Sequence, residues 1–223
     1  FGGTWAGRQD DFGVEREFWR RKLLPLAGRT LVVTAAGNEA IRSDFFLPAD
    51  AQRDVPNLIA VGAVQVGDLP NGRREDERAI FSRTPVPVLQ RPVQDRRHVT
   101  NQDVPCAAIA IGQLQELASN CGRNVAISAP GVRIYAADRV GFAEFRGTSA
   151  SSPIVAGVAG LLQAIRPNAA PLAPFELRRL LIEAADDISD KWRPDAGMRR
   201  LNALAAARAL LPALSAQRVF IAD

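Results

Sequence analysis

Residues 151–165 (SSPIVAGVAGLLQAI) carry no charged side chain and are apolar on every side when wound as a helix. A helix of that kind is expected in the interior of a protein. Gly157 and Gly160 within it let its backbone approach a neighbour closely. The remaining apolar runs are shorter and β-branched. Leu31 to Ala35 and Asn57 to Val64 read as buried strands. Strands that are apolar on both faces, with helical segments between them, predict a mostly parallel sheet with helices on its faces. The expected class is therefore α/β.

Other elements fall around that frame. Asp10-Asp11 precede a helix over Val14 to Leu24, with cations Arg20, Arg21 and Lys22 near its end and Pro25 and Gly28 beyond it. Val125 to Ser128 is a further strand. Val132 to Ala136 continues extended, and Gly141 to Phe145 pairs with it. Pro174 opens a helix with Leu177, Leu180, Leu181 and Ala184 inward and Arg178, Arg179 and Glu183 outward. A last helix runs from about Asn202 to Leu211, and Val219-Phe220-Ile221 reads as a terminal strand. Gly67 to about Arg97, with its prolines and the charge run Arg73 to Arg78, reads as a polar loop with at most edge-type strands. Cys106 to Ile111 reads as a short strand.

Composition removes several function classes. No stretch approaches eighteen apolar residues without a charge, so no membrane span is expected. The net charge is +4, but the arginines are scattered and not interleaved with aromatics, so no nucleic-acid partner is expected. Two cysteines, Cys106 and Cys121, and one histidine, His98, cannot build a zinc site. One disulfide, or two buried thiols, both fit the pair. The first residue is Phe1 and the only methionine is Met198, so the chain is expected to lack its natural start.

The string that carries chemistry is Gly147-Thr148-Ser149-Ala150-Ser151-Ser152-Pro153, running directly into the apolar helix. A serine at a helix amino terminus has unpaired backbone N–H groups and the positive end of the helix dipole beside it. Those features suit a nucleophile whose attack creates an oxyanion. An isolated serine in such a place more often only caps the helix. A hydrolase elbow of the G-x-S-x-G type is excluded, because Ser151 stands two residues after Ser149.

The string resembles the nucleophile motif of the subtilisin-like serine peptidases, G-T-S-x-x-[AS]-P before a glycine-containing helix. Ala36-Gly37-Asn38 after a strand is similar to the family's A-G-N. Asn57 to Val64, Ser119-Asn120-Cys121-Gly122, Ser128-Ala129-Pro130-Gly131 and Gly197 to Ala203 follow in the family's order. The resemblance implies a subtilisin-like three-layer α/β fold with a mostly parallel sheet, incomplete because the early strands are missing. Residues 1–223 would be the carboxy-terminal portion of the peptidase domain, with an insertion at about 65–116.

The resemblance also implies roles. Ser149 would be the nucleophile. Asn38 would donate to the oxyanion, with the Ser149 N–H as second donor. Phe1, Gly2 and Gly3 would line one side of the substrate site and Ala35, Ala36 and Gly37 the other, with Glu39 at the rim. The family's triad Asp and His lie before the A-G-N strand. Here no Asp is followed by Ser/Thr-Gly, and His98 is not followed by Gly-Thr. The missing amino-terminal segment that carries them is thus the implied partner, and a polypeptide is the implied substrate. This chain alone is expected to be inactive. A pseudopeptidase or binding module on the same scaffold, and a two-chain enzyme, are the alternatives. Removal of early strands would leave an exposed apolar face. Calcium is implied by the family only, with no ligand cluster matched and no metal residue assigned. A secreted or cell-envelope location is likewise implied.

Overall fold

The computed structural model describes residues 3–4, 9–38, 46–68, 74–78, 80–87, 114–122, 124–165, 170–188 and 199–211. In chain order, β1 (Gly3–Thr4) and α1 (Gln9–Leu23) precede β2 (Val32–Ala35) and β3 (Phe46–Leu47). Then come β4 (Leu58–Asp68), β5 (Arg74–Arg78), β6 (Ile80–Pro87), β7 (Leu114–Ala118) and β8 (Ile127–Pro130). The hairpin strands β9 (Ile134–Asp138) and β10 (Gly141–Phe145) lead into α2 (Thr148–Ala164). The chain closes with α3 (Pro174–Glu183), β11 (Asp186–Asp187), β12 (Arg199–Arg200) and α4 (Ala203–Leu210).

The central sheet has the order β11–β12–β8–β4–β2, with β5 added to the far end of β4. The β2–β4, β4–β8 and β8–β12 pairings are all parallel. Because β4 is covered on both faces, its successive residues divide between two cores. Ile59 and Val61 pack with Ile127, Val155, Ala159, Leu162, Leu177, Leu181 and Ala206, so α2, α3 and α4 lie on that face. Leu58 turns the other way, to Leu23, Ala51 and Val55, with Trp19 of α1 packed against them. Helices on both faces of a mostly parallel sheet make the three-layer α/β arrangement that the apolar runs predict.

Two local expectations are corrected. First, α2 is not buried all round. Val155, Ala159 and Leu162 are buried, but Pro153, Ala156, Gly157, Gly160, Leu161 and Ala164 face outward. Second, Arg178 does not point to solvent: its Nε donates to the Leu58 carbonyl at 2.9 Å, and burial lowers its pKa. The stretch read as a polar loop with at most edge-type strands does hold such strands. β4 runs on to Asp68 and β5 pairs with it antiparallel, Val64 opposite Arg78 and Asp68 opposite Arg74. A strand charged at every position, Arg-Glu-Asp-Glu-Arg, is tolerated at a sheet edge. The proline-bearing β6 pairs with β7 through two register shifts. On α1, Val14 and Phe18 are exposed, while Leu23 is buried.

Cys121 is disulfide-bonded, which decides between the two readings of the cysteine pair. Cys106, the expected strand over 106–111 and the terminal run 219–221 lie outside the described residues.

Candidate active site

Three segments converge on the amino terminus of α2. The turn before it depends on Gly147, whose φ of 116° is reserved for glycine. A Cβ there would stand 3.3 Å from Asn38 Nδ2. The Gly147 N–H donates to the Gly131 carbonyl at 2.8 Å, tying the turn to the end of β8. Gly131 has no room for a side chain either: a Cβ would come within 2.5 Å of both Ala63 Cβ and Ser151 Oγ. Ser151 is buried, and its hydroxyl donates toward the Ala129 and Pro130 carbonyls at 3.1 Å each. Ser152 Oγ donates to the Thr148 carbonyl at 2.7 Å. The serines flanking Ser149 therefore hold the turn, while Ser149 itself is exposed.

Thr148, fully buried, joins this turn to the end of β2. Its N–H and its hydroxyl both donate to Asn38 Oδ1 at 2.9 Å, and its Oγ1 accepts from the Gly37 N–H at 3.2 Å. A backbone N–H can only donate, so the oxygen of the Asn38 amide must face Thr148. The other arm, Nδ2, is thereby the donor of the pair, and it lies beside Gly147 in the turn before Ser149. The Ser149 N–H lies in the first turn of α2, where backbone donors have no intrahelical acceptor. The Ser149 hydroxyl, its N–H and the Asn38 amide thus lie near a positive helix end, an environment that would favour negative charge developing on a carbonyl oxygen.

The segment that leads to Asn38 is also fixed. Ala35, Ala36 and Gly37 are buried. Asn120, fully buried, donates through its N–H to the Gly37 carbonyl at 2.9 Å and through Nδ2 to the Ala36 carbonyl at 3.0 Å. Next to it stands the disulfide-bonded Cys121. Thr148 and Asn120, like Gly131, Gly147 and Ser151, stand inside strings quoted from the sequence but received no role there, so position was legible and the contacts were not. Gly3 of β1 pairs with Leu47 of β3. Phe1, Gly2, Glu39 and His98 lie outside the described residues.

Among the described residues no histidine is present to serve Ser149, because the chain's one histidine is His98. Among them, no group of three or more His, Cys, Asp or Glu side chains is placed to hold a metal ion. The buried carboxylate Asp50 is instead engaged by Arg16, at 3.0 Å, and by the Asn124 amide. No helix is long and apolar enough to cross a membrane among the residues described.

A family model described as the subtilase family matches residues 11–205. No curated protein matches the chain. Among solved structures, the A subunit of the AB5 toxin from E. coli is similar at 21% identity and a TM-score of 0.55, over 92% of this chain and 59% of that one. A structure of the subtilase cytotoxin SubAB assembly is similar at 21% identity and a TM-score of 0.56, over 97% and 60%. A cold-adapted subtilisin-like serine proteinase is similar at 22% identity and a TM-score of 0.51, over 92% and 53%. The chain therefore spans little more than half the length of these structures, and at such identity the likeness is one of fold.

Proposed function

This chain belongs to the subtilase family, and on that premise we propose that it supplies the nucleophile half of a serine endopeptidase. The observation that carries the reading is the hold of Thr148 on Asn38 Oδ1, which leaves the amide nitrogen of Asn38 as a donor beside the turn that precedes Ser149. In the complete enzyme Ser149 Oγ attacks the scissile carbonyl of a polypeptide. The tetrahedral oxyanion is held by Asn38 Nδ2 and the Ser149 N–H. Collapse expels the amine and leaves an acyl-enzyme, which water then hydrolyses.

The proton of Ser149 needs a base, and the base needs a carboxylate to orient it. We assign both, a histidine and an aspartate, to a polypeptide segment outside residues 1–223. Ala35 to Gly37 form one wall of the substrate site, with Glu39 at its rim and Phe1 to Gly3 on the opposite side. Residues 1–223 alone are then inactive. The disulfide at Cys121 supports an oxidising, extracytoplasmic location; recovery of the protein only from the cytosolic fraction would contradict this.

The test is turnover of an unstructured polypeptide by the complete protein, against its Ser149→Ala variant. Hydrolysis abolished by the substitution supports the reading. A complete, folded protein that cleaves nothing and still binds polypeptides would instead be a pseudopeptidase.

A further inference from the structure

Between the end of β2 and Asn38 the chain leaves the sheet through a short link, Ala36-Gly37, and every backbone polar group of that link has a partner. The Ala36 N–H donates to the Val61 carbonyl of β4 at 2.9 Å. The Gly37 N–H donates to Thr148 Oγ1 at 3.2 Å. Both carbonyls go to a single residue: that of Ala36 accepts from Asn120 Nδ2 at 3.0 Å, and that of Gly37 from the Asn120 N–H at 2.9 Å. A carbonyl can only accept, so the nitrogen of the Asn120 amide is the arm that faces Ala36. Asn120 is itself anchored. It is fully buried, and its carbonyl accepts from Ser119 Oγ at 3.0 Å. Ser119 Oγ in turn accepts from the Ala63 N–H of β4 at 2.9 Å. The link needs such a hold, because Gly37, with φ at 104°, is the residue type that loses most conformational freedom on being fixed.

We infer that Asn120 is a positioning residue for Asn38: by holding both carbonyls of the link, it fixes where the Asn38 amide stands relative to Ser149. The inference rests on the peptidase reading above, in which Asn38 donates to the oxyanion. Thr148 decides which arm of the Asn38 amide is the donor, from the α2 side. Asn120 decides where the backbone that carries Asn38 lies, from the β4 side. Without the Asn120 amide, the Ala36 carbonyl, in a fully buried residue, loses that donor. A buried acceptor left without a donor is costly. The link recovers one only by moving, and Asn38 moves with it. An oxyanion donor works over a narrow range of distance, and a misplacement of about 1 Å costs on the order of 10²-fold in rate. Support of the fold alone would act differently, since its loss would be felt equally whether or not Asn38 carried an amide.

The experiment is a double-mutant cycle in the complete polypeptide encoded by the same gene, read by steady-state hydrolysis of a peptide ester and by amide hydrogen exchange. Asn120→Ala should lower kcat about 10–100-fold, and by more than it raises KM. In an Asn38→Ala background the same substitution should change kcat by less than about threefold, because the group it positions is gone. Leu181→Ala, in the core on α3, is the control: it should lower Tm and leave kcat unchanged, the pattern that a merely structural Asn120 would share. Exchange of the Gly37 amide should quicken at least about tenfold in Asn120→Ala, while the amides of α3 exchange as before. Should Asn120→Ala fail to fold, Asn120→Ser, smaller and still polar, is read against the same criteria. An unchanged kcat, or a fall of equal size with and without the Asn38 amide, overturns the inference. So does unchanged exchange at Gly37. A complete, folded protein without turnover sinks the peptidase reading, and exchange alone then decides on Asn120. Quickened exchange upholds its hold on the link that carries Asn38, and unchanged exchange removes it.

Discussion

Thr148→Val is the substitution that most directly probes how the site is built. Valine keeps the shape of threonine and removes only the hydroxyl, which here sits fully buried between two partners. The Gly37 N–H, bonded to Oγ1 at 3.2 Å, would be left buried without that acceptor. An unsatisfied buried donor costs about 1–3 kcal/mol. Asn38 Oδ1 would lose the hydroxyl at 2.9 Å but keep the Thr148 N–H, also at 2.9 Å. That second loss is an ordinary hydrogen bond, about 0.5–1.5 kcal/mol. Together the chain should be destabilised by about 2–4 kcal/mol. With a urea m-value of about 1–3 kcal/mol/M for a protein of this class, the midpoint should fall by roughly 1–2 M. Thr148→Ser, which restores the hydroxyl, should recover most of the loss. In the complete enzyme Thr148→Val should lower kcat more than it raises KM, because a loosened Asn38 matters most when the oxyanion forms. A midpoint shift below about 0.3 M at unchanged m, with kcat intact, would refute the reasoning.

Asn38→Ala in the complete enzyme should reduce kcat on the order of 10²–10³ with KM little changed, the loss known for subtilisin's own oxyanion asparagine; steady-state kinetics on a peptide ester decides it. Gly131→Ala would force a Cβ to within 2.5 Å of Ala63 Cβ and Ser151 Oγ. It should cost about 1–3 kcal/mol in denaturant unfolding, and should disturb Ser149 through the Gly147–Gly131 bond. Leu162→Ala, in the core between α2 and the sheet, should cost about 2–5 kcal/mol by the same measurement. Asp186, hydrogen-bonded by Arg200 and Asn202, has its pKa held below the usual carboxylate value. Its stabilisation is therefore present above the unfolded pKa and fades as pH falls through the lower folded one. Asp186→Asn should lower Tm at neutral pH and flatten the decline of Tm in acid, as read by thermal melts across that range.

What the sequence disclosed followed from how local each feature is. The start of α2, the strands about Val32–Ala35 and Leu58–Val64, and the start of α4 near Asn202, whose side chain accepts from the Ala205 N–H, all depend on neighbours a few residues away. The burial of α2 did not, because uniform apolarity says that a face wants cover and not whether this chain supplies it. Arg178 was read outward from its charge, yet its long stem carries the guanidinium back to the Leu58 carbonyl. β5 was left within a loop that could hold edge strands, because an edge strand needs no apolar alternation and its five charges hid the ladder to β4. The Thr148–Asn38 lock joins residues 110 positions apart, and no spacing rule reveals such a contact.

The central claim is that Ser149 is a catalytic nucleophile completed by groups outside this chain. Fluorophosphonate labelling of the complete, folded polypeptide, with the modified residue mapped by mass spectrometry, tests it in one measurement. The account predicts stoichiometric labelling at Ser149, none in Ser149→Ala, and none in residues 1–223 alone. A complete polypeptide that stays unlabelled, or one labelled at another serine, would contradict it.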